Sequence, residues 1–143
     1  MKNKIEFKVC GQGNNPEAYK ECEEFIEKWK KILRIQDWET NLSFVSGEEI
    51  YEQMGSFDYV ASCDRDLVNK TACISVNVEH SKINECIEKT LLHELLHIVT
   101  YEWQNVVENS IEDEKLQEYS RVKMEQTVES LAKSFAYFAE VKT

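Results

Sequence analysis

Proline, glycine and basic residues are scarce in this chain of 143 residues. It has one proline and four glycines, and it contains neither repeats nor low-complexity segments nor an interdomain linker. The 17 Lys and Arg residues are outnumbered by 27 Asp and Glu residues, which gives a net charge of −10. Because phosphates and anionic lipid surfaces are recognised by clustered Lys and Arg, we expect neither nucleic acid nor a membrane as a partner.

Long apolar segments are also missing. No run approaches the ~20 residues that cross a membrane, and residues 1–10 alternate between polar and apolar types, unlike a signal peptide. With 42% hydrophobic and 31% charged residues, the composition is that of a folded protein rather than a disordered one. We therefore expect one domain over residues 1–143, located in the cytoplasm.

The cysteines lack any pairing pattern. There are five, an odd number, and no two of them form a C-x-x-C pair; they are Cys10, Cys22, Cys63, Cys73 and Cys86. A disulfide framework or a cysteine-based zinc site is therefore disfavoured. The pattern predicts reduced thiols, as in cytosolic proteins.

The spacing of apolar residues predicts an α+β domain with a small antiparallel or mixed sheet. Period-two alternation predicts strands at residues 5–9, 38–44, 57–63 and 71–78, with 64–70 as a hairpin connection and 46–56 as a loop or short helical turn. Spacings of three and four predict helices over residues 16–34, from about 81–84 through 99, and from 110 towards 141, with a break at 104–109.

One segment has the pattern of a metal site. His93-Glu94-Leu95-Leu96-His97 places two imidazoles one helical turn apart on the same face, so both can reach one ion. Zinc suits imidazole ligands and lowers the pKa of bound water towards ~7. Glu94, in the adjacent sector of the helix, is then expected to be the catalytic base that takes a proton from the zinc-bound water.

The surroundings of this motif favour a metal over an ordinary helix. Apart from the two histidines and Glu94, all residues from Leu91 to Val99 are apolar, which predicts a buried helix. Burying two histidines and a glutamate without partners would cost several kcal/mol, and coordination of a metal removes that cost. The alternative is a pair of histidines satisfied by hydrogen bonds.

A third ligand must come from elsewhere, because no histidine follows Val99. The last predicted helix has an apolar face formed by Val128, Leu131, Ala132, Phe135, Phe138 and Ala139. At ~100° per residue, Glu125 lies roughly 60° and Glu129 roughly 100° from the centre of that face. We therefore predict Glu125 as the third ligand, with Glu129 as the alternative.

Two segments together resemble a known group. The run Ala72–Asn77 followed by Lys89–His97 is similar to small gluzincin-type metallopeptidases, which include the ImmA/IrrE-like and SprT-like families and related short proteins of phages and mobile elements. The resemblance implies a zincin-like minimal domain, with a strand presented to substrate, the HExxH helix and a C-terminal glutamate helix. Residues 125–132 are similar to the glutamate helix of the ImmA/IrrE-like group, where Glu125 falls at the third-ligand position.

Two functions follow from these expectations. The first is a zinc-dependent peptidase that hydrolyses a peptide bond in a protein or peptide substrate. The second is a binding or regulatory module that keeps the fold without turnover. The retained Glu94 favours the peptidase. We further expect the strand at residues 71–78 to lie at a sheet edge and to pair with substrate, and we consider His80, Tyr101 and Tyr137 as transition-state donors.

Overall fold

The computed structural model describes residues 5–7 and 15–142. Within these residues the chain forms four helices and three strands, in the order α1 (Pro16–Leu33), β1 (Glu39–Val45), α2 (Gly47–Met54), β2 (Ala61–Asp66), β3 (Thr71–Asn77), α3 (Ile83–Ser110) and α4 (Glu114–Lys142). The predicted α+β class is confirmed. Residues 5–7 are not in a strand, and the rest of the predicted first strand lies outside the described residues.

Helix α1 forms where the spacing of apolar residues predicted it. Pro16 occupies its first turn, where a missing N–H is tolerated. Its apolar stripe is buried in the core through Cys22, Phe25, Ile26 and Trp29. The helix ends at Leu33, because Arg34 adopts a left-handed conformation with φ of 60° and its N–H bonds back to the carbonyls of the last turn.

The sheet has the strand order β1-β3-β2. Strand β1 runs parallel to β3, and β2 runs antiparallel to it. The prediction that the strand at residues 71–78 is an edge strand is therefore wrong, since β3 is central. The chain passes from β1 through α2 before it enters the β2–β3 hairpin, and this crossover leaves both sides of β3 paired. The edge strand of the hairpin is β2.

Strand β2 also starts later than predicted. The last apolar residue of β2 is Cys63, but the strand does not end there. The charged residues 64–66, which we assigned to the connection, continue the antiparallel pairing with β3. The hairpin turn is confined to residues 67–70, where Lys70 has a positive φ of 52°. Backbone pairing with β3 thus outweighs the low strand propensity of the acidic side chains.

Helix α3 continues through the break predicted at residues 104–109. This segment contains neither Gly nor Pro, and side-chain bonds one turn apart, Gln104 to Glu108 and Asn109 to Asn105, support the helix. The helix ends at Ser110, whose hydroxyl donates to the Val106 carbonyl. The prediction that Ser110 begins the next helix is therefore wrong.

Asp113 caps α4 instead. Its Oδ1 accepts the backbone N–H groups of Lys115 and Leu116 at 2.9 and 3.0 Å. Only residues 111–113 separate the two long helices, so α4 folds back antiparallel along α3. This return brings the middle of α4 opposite the His93–His97 turn.

The core lies between the sheet, α1, α3 and α4. Leu91, Leu92, Leu95 and Leu96 are at most 2% exposed, as the apolar run predicted. On α4, Val128 and Ala132 are fully buried, but Leu131 and Phe138 are 38% and 58% exposed. The predicted apolar face of α4 is therefore rotated, because Met124 and Ala136 pack on the core instead.

Two further expectations concern the thiols and the membrane. Of the described residues, Cys22, Cys63, Cys73 and Cys86 are free thiols, and Cys10 lies outside the described residues. No helix within residues 5–7 and 15–142 combines the length and the apolar character needed to cross a membrane.

Candidate metal centre

Helix α3 positions the three residues of the predicted motif. The leucines on either side of His93 and His97 anchor this turn of the helix in the core, so the two imidazoles lie at the boundary between core and cleft. Their side chains are 15% and 14% exposed. The Nε2 atoms of His93 and His97 point towards each other at 3.1 Å, as the spacing of one helical turn predicts.

Helix α4 brings Glu125 to both imidazoles. Its Oε1 lies 2.7 Å from His93 Nε2 and its Oε2 lies 3.1 Å from His97 Nε2. The three residues form a group whose ligand atoms all lie within 4.8 Å of one another. The sequence therefore identified the three residues that converge at this point.

Glu129 lies on the opposite side of the His93 ring. Its Oε2 is 2.7 Å from His93 Nδ1, and its Oε1 accepts a hydrogen bond from Lys89 Nζ at 3.0 Å. The two glutamates thus take different nitrogens of one imidazole. Glu125 contacts Nε2, the nitrogen that faces His97 and can bind a metal. Glu129, which is paired with Lys89, contacts Nδ1 on the other side of the ring.

The exposures of the two glutamates differ from what the helical wheel suggested. The Glu125 side chain is 57% exposed, whereas that of Glu129 is 33% exposed. The wheel ranked Glu125 as the more inward residue. Its carboxylate is more exposed because the face of α4 at that level borders an open cleft rather than the core.

The donor set fits a tetrahedral zinc ion. Two imidazole nitrogens and one carboxylate are zinc ligands of an open, catalytic type of site. Nitrogen and oxygen ligands at about 2.0–2.1 Å from a tetrahedral ion lie about 3.3 Å from each other. The observed separations of 2.7 to 3.1 Å approach that value, so the residues need only small shifts to hold an ion.

Electrostatic interactions shift the pKa values of three side chains at this site, Glu125, His93 and Glu129. The hydrogen bonds with His93 and His97 keep the pKa of Glu125 far below its usual range. Burial opposes the protonation of His93, but the hydrogen bond to Glu125 and the charges of Glu94 and Glu125 outweigh it, so the pKa of His93 is raised. Burial likewise acts against the ionised form of Glu129, yet its hydrogen bonds with Lys89 and His93 leave its pKa lowered.

Glu94 has a different environment from the other glutamates of the site. It is only 7% exposed, and burial raises its pKa above the usual value, although the nearby histidines and Arg65 oppose the shift. A carboxyl group with a raised pKa is a better proton acceptor near neutral pH than an ordinary one. Glu94 borders the same cleft as His93, His97 and Glu125.

This cleft runs between the edge strand β2 and the α3–α4 pair. Met54 and Tyr59 border it on the side of α2, and Arg121 and Val122 border it on α4. Cys63 lies in its wall, where burial and the charge of Glu94 raise the pKa of the thiol to about 12. That thiol is therefore a neutral wall of the cleft at physiological pH.

Arg65 also borders the cleft, although the sequence did not indicate it as a site residue. It lies in the segment that we assigned to a surface connection, and its role becomes visible only once β2 is known to extend to Asp66. Its Nη1 donates to the carbonyl of His97 at 3.2 Å. Period-two alternation from Ala61 is the signal that could have found it, since it places Arg65 on the same face of the strand as Ala61 and Cys63.

The three residues considered as transition-state donors lie away from the converging groups. The ring of His80 contacts the Asp58 carbonyl near the start of α2. Tyr101 lies under Arg65 and against Trp38, and Tyr137 is 64% exposed near the end of α4. None of the three borders the cleft within the described part of the chain.

No protein-family profile, curated protein or solved structure matches this chain.

Proposed function

We propose that this protein is a zinc-dependent peptidase with a zincin-like minimal fold of the gluzincin type. The observation that carries the proposal is the convergence of His93, His97 and Glu125 at one point beside the buried carboxyl group of Glu94. These groups meet in an open cleft next to the outer side of the edge strand β2. Metal ligands, a general base and a place for an extended chain are the parts that peptide hydrolysis requires.

His93, His97 and Glu125 would bind the ion as three ligands, which leaves the fourth coordination position for water or substrate. When bound, zinc polarises a carbonyl group and lowers the pKa of a water ligand. His93 is oriented by Glu129, whereas His97 is held only by its helix and by contacts of Nε2, since its Nδ1 has no hydrogen-bond partner among the described residues. Metal affinity should therefore depend strongly on the ordering of His93.

Glu94 transfers the proton of the attacking water to the leaving amine. Its buried carboxylate accepts a proton from the attacking water, and the raised pKa favours this transfer. It then delivers the proton to the nitrogen of the leaving amine as the peptide bond breaks. General acid–base catalysis of this kind contributes about 10²- to 10⁴-fold in rate.

The edge strand β2 supplies a docking site for an extended substrate. The N–H of Asn77 bonds to the carbonyl of Val60. By the alternation of an antiparallel ladder, Ser62 and Asp64 then bond to β3, while the backbone groups of Ala61, Cys63 and Arg65 point away from it. An extended peptide can add to this side by β-augmentation and so pass over the histidines.

Cleavage of a protein or peptide in the cytoplasm agrees with the chemistry of the rest of the chain. The free thiols of the described cysteines suit a reducing compartment. The net charge of −10 suits a peptide ligand better than nucleic acid.

The test is Glu94→Gln, which preserves the shape of the side chain and removes the base. We expect the variant to bind zinc at wild-type stoichiometry, to keep the wild-type Tm, and to cleave a mixed peptide library about 10²- to 10⁴-fold more slowly, as followed by mass spectrometry. Glu102→Gln, an exposed position two turns further along α3, is the matched control and should retain full activity.

Two outcomes would contradict the proposal. A Glu94→Gln protein that cleaves as fast as the wild type would exclude Glu94 as the base. A wild-type protein that is loaded with zinc but cleaves no member of the library would favour the binding or regulatory module instead.

A further inference from the structure

Arg65 lies on the inward face of the sheet, which is an unusual place for an arginine. Its partner in the antiparallel register is the fully buried Ala72, and the other β2 residues of this face, Ala61 and Cys63, pair with the buried Val76 and Ile74. A solvated arginine on an edge strand would occupy the alternate face, as Asp64 and Asp66 do. The Arg65 side chain instead crosses towards α3.

Two contacts fix the guanidinium group at the cleft. Nη1 donates to the carbonyl of His97 at 3.2 Å, and the group lies 4.5 Å from the centroid of the Tyr101 ring. These contacts use one of the five N–H donors of an arginine, and within the described residues the other donors have no hydrogen-bond partner. The group is thus positioned by two contacts while most of its hydrogen-bonding capacity remains available.

The charge of Arg65 acts on the catalytic side of the cleft. It is close enough to Glu94 and Cys63 to influence the pKa of both groups. The second arginine of the cleft, Arg121, differs in this respect. Its guanidinium is paired with Glu108 and Glu118 at 3.2 and 3.6 Å, so its charge is already compensated.

We propose that Arg65 binds the substrate directly, donating N–H bonds to the oxygen atom that gains negative charge on the scissile carbonyl. The assignment rests on the proposed peptidase function. A half-buried cation that is already positioned in the same cleft as the metal ligands stabilises such an oxygen with little reorganisation during the reaction. Arg65 thereby takes the role for which the histidine and the tyrosines considered from the sequence are badly placed.

The test uses two anions that differ in reach, so that no substrate is needed. The protein is loaded with Co²⁺, and its visible absorption spectrum is titrated with inorganic phosphate or with azide. Phosphate is tetrahedral and offers oxygens to both the ion and a neighbouring guanidinium, whereas azide binds the ion alone. We expect Arg65→Gln to weaken phosphate binding on the order of tenfold or more and to leave azide binding unchanged.

Two further variants separate binding from folding. Arg65→Lys keeps the charge but loses the planar fork, so it should fold and show a smaller loss of phosphate affinity than Arg65→Gln. Arg121→Gln is the matched control and should bind phosphate like the wild type. Co²⁺ stoichiometry and Tm are measured on every sample, because a merely structural role of Arg65 would lower them together with the binding of both anions.

The outcomes distinguish this assignment from the proposed function. If the wild type and Arg65→Gln bind phosphate equally, or if only Arg121→Gln loses affinity, Arg65 is not the anion-binding residue although the metal site stands. If the wild type takes up no Co²⁺, the metal site itself is wrong and the assignment falls with it.

Discussion

The Nδ1 atom of His93 lies 2.7 Å from Oε2 of Glu129. Glu129 is one helical turn after Glu125 on α4, and Glu125 contacts Nε2 of the same ring. The contact with Glu129 gives the Nδ1–H a strong acceptor and so leaves Nε2 as the atom that can bind a metal. Lys89, which donates to the other carboxylate oxygen, holds Glu129 in place. Together they orient His93 from behind.

Glu129→Ala should weaken zinc binding without removing it. Loss of an orienting carboxylate behind a metal-bound histidine typically costs 10- to 100-fold in affinity, and we expect a loss in that range. The measurement is a competition titration against a zinc-binding dye. Gln126→Ala, at a neighbouring position on the same surface of α4, is the control and should bind zinc like the wild type.

Glu125→Ala in the same assay should lose stoichiometric zinc altogether. The opposite ranking, in which Glu129→Ala loses zinc and Glu125→Ala retains it, would exchange the roles of the two glutamates.

Removal of either the metal or one of its histidines should destabilise the fold. His93→Ala is expected to abolish stoichiometric zinc, as measured by elemental analysis, and chelation of the wild type should lower its Tm because a bound ion stabilises only the folded state. His80→Ala is the matched control, since His80 lies in a separate pocket near α2. Unchanged zinc content in His93→Ala would remove His93 from the site.

The outward N–H of Cys63 should contribute to substrate binding. Cys63→Pro removes that N–H at a position where the sheet does not use it, and we expect kcat/KM for library peptides to fall about three- to tenfold. Cys63→Ala, which removes the thiol but keeps the N–H, should show a smaller change. Equal activity of both variants would mean that peptides do not pair with β2.

The thiols should differ sharply in their reaction with iodoacetamide. Because burial raises the pKa of Cys63 and of Cys22 to about 12, on the order of one thiol in ten thousand is ionised at pH 8, and only the thiolate reacts. Alkylation at these two positions should therefore be slow and should accelerate as the pH rises towards 12. Among the four cysteines that the structure describes, the exposed Cys73 should be modified first.

Peptide mapping by mass spectrometry measures the order of modification, and the denatured protein, in which all the cysteines react, provides the reference. Rapid labelling of Cys63 in the native protein at pH 8 would contradict the burial and the raised pKa of this thiol.

The sequence by itself determined the parts of this protein that depend on local geometry. The facing imidazoles of His93 and His97 follow from a spacing of four residues on any helix. The course of α1 follows from the spacing of its apolar residues, and the burial of the α3 leucines follows from a helix that is apolar on nearly all sides. Each of these features needs only one segment of the chain, so one segment suffices to predict it.

Local patterns were less reliable where several signals competed. Polar residues at 104–109 suggested a break, yet side-chain bonds one turn apart maintain α3 to Ser110. The acidic end of β2 suggested a connection, yet pairing with β3 holds it in the sheet. In both cases hydrogen bonds that the composition does not reveal outweighed propensity.

Only the tertiary structure decided the relations between segments. The helical wheel placed Glu125 and Glu129 on neighbouring sectors of α4, but the packing of α4 against α3 assigns one to Nε2 and the other to Nδ1 of His93. The order of the strands made β3 central and β2 the edge, which brings Arg65 to the cleft. These contacts join residues that lie 32 or more positions apart in the chain, and such distances are set by how the elements pack together rather than by the periodicity of any one of them.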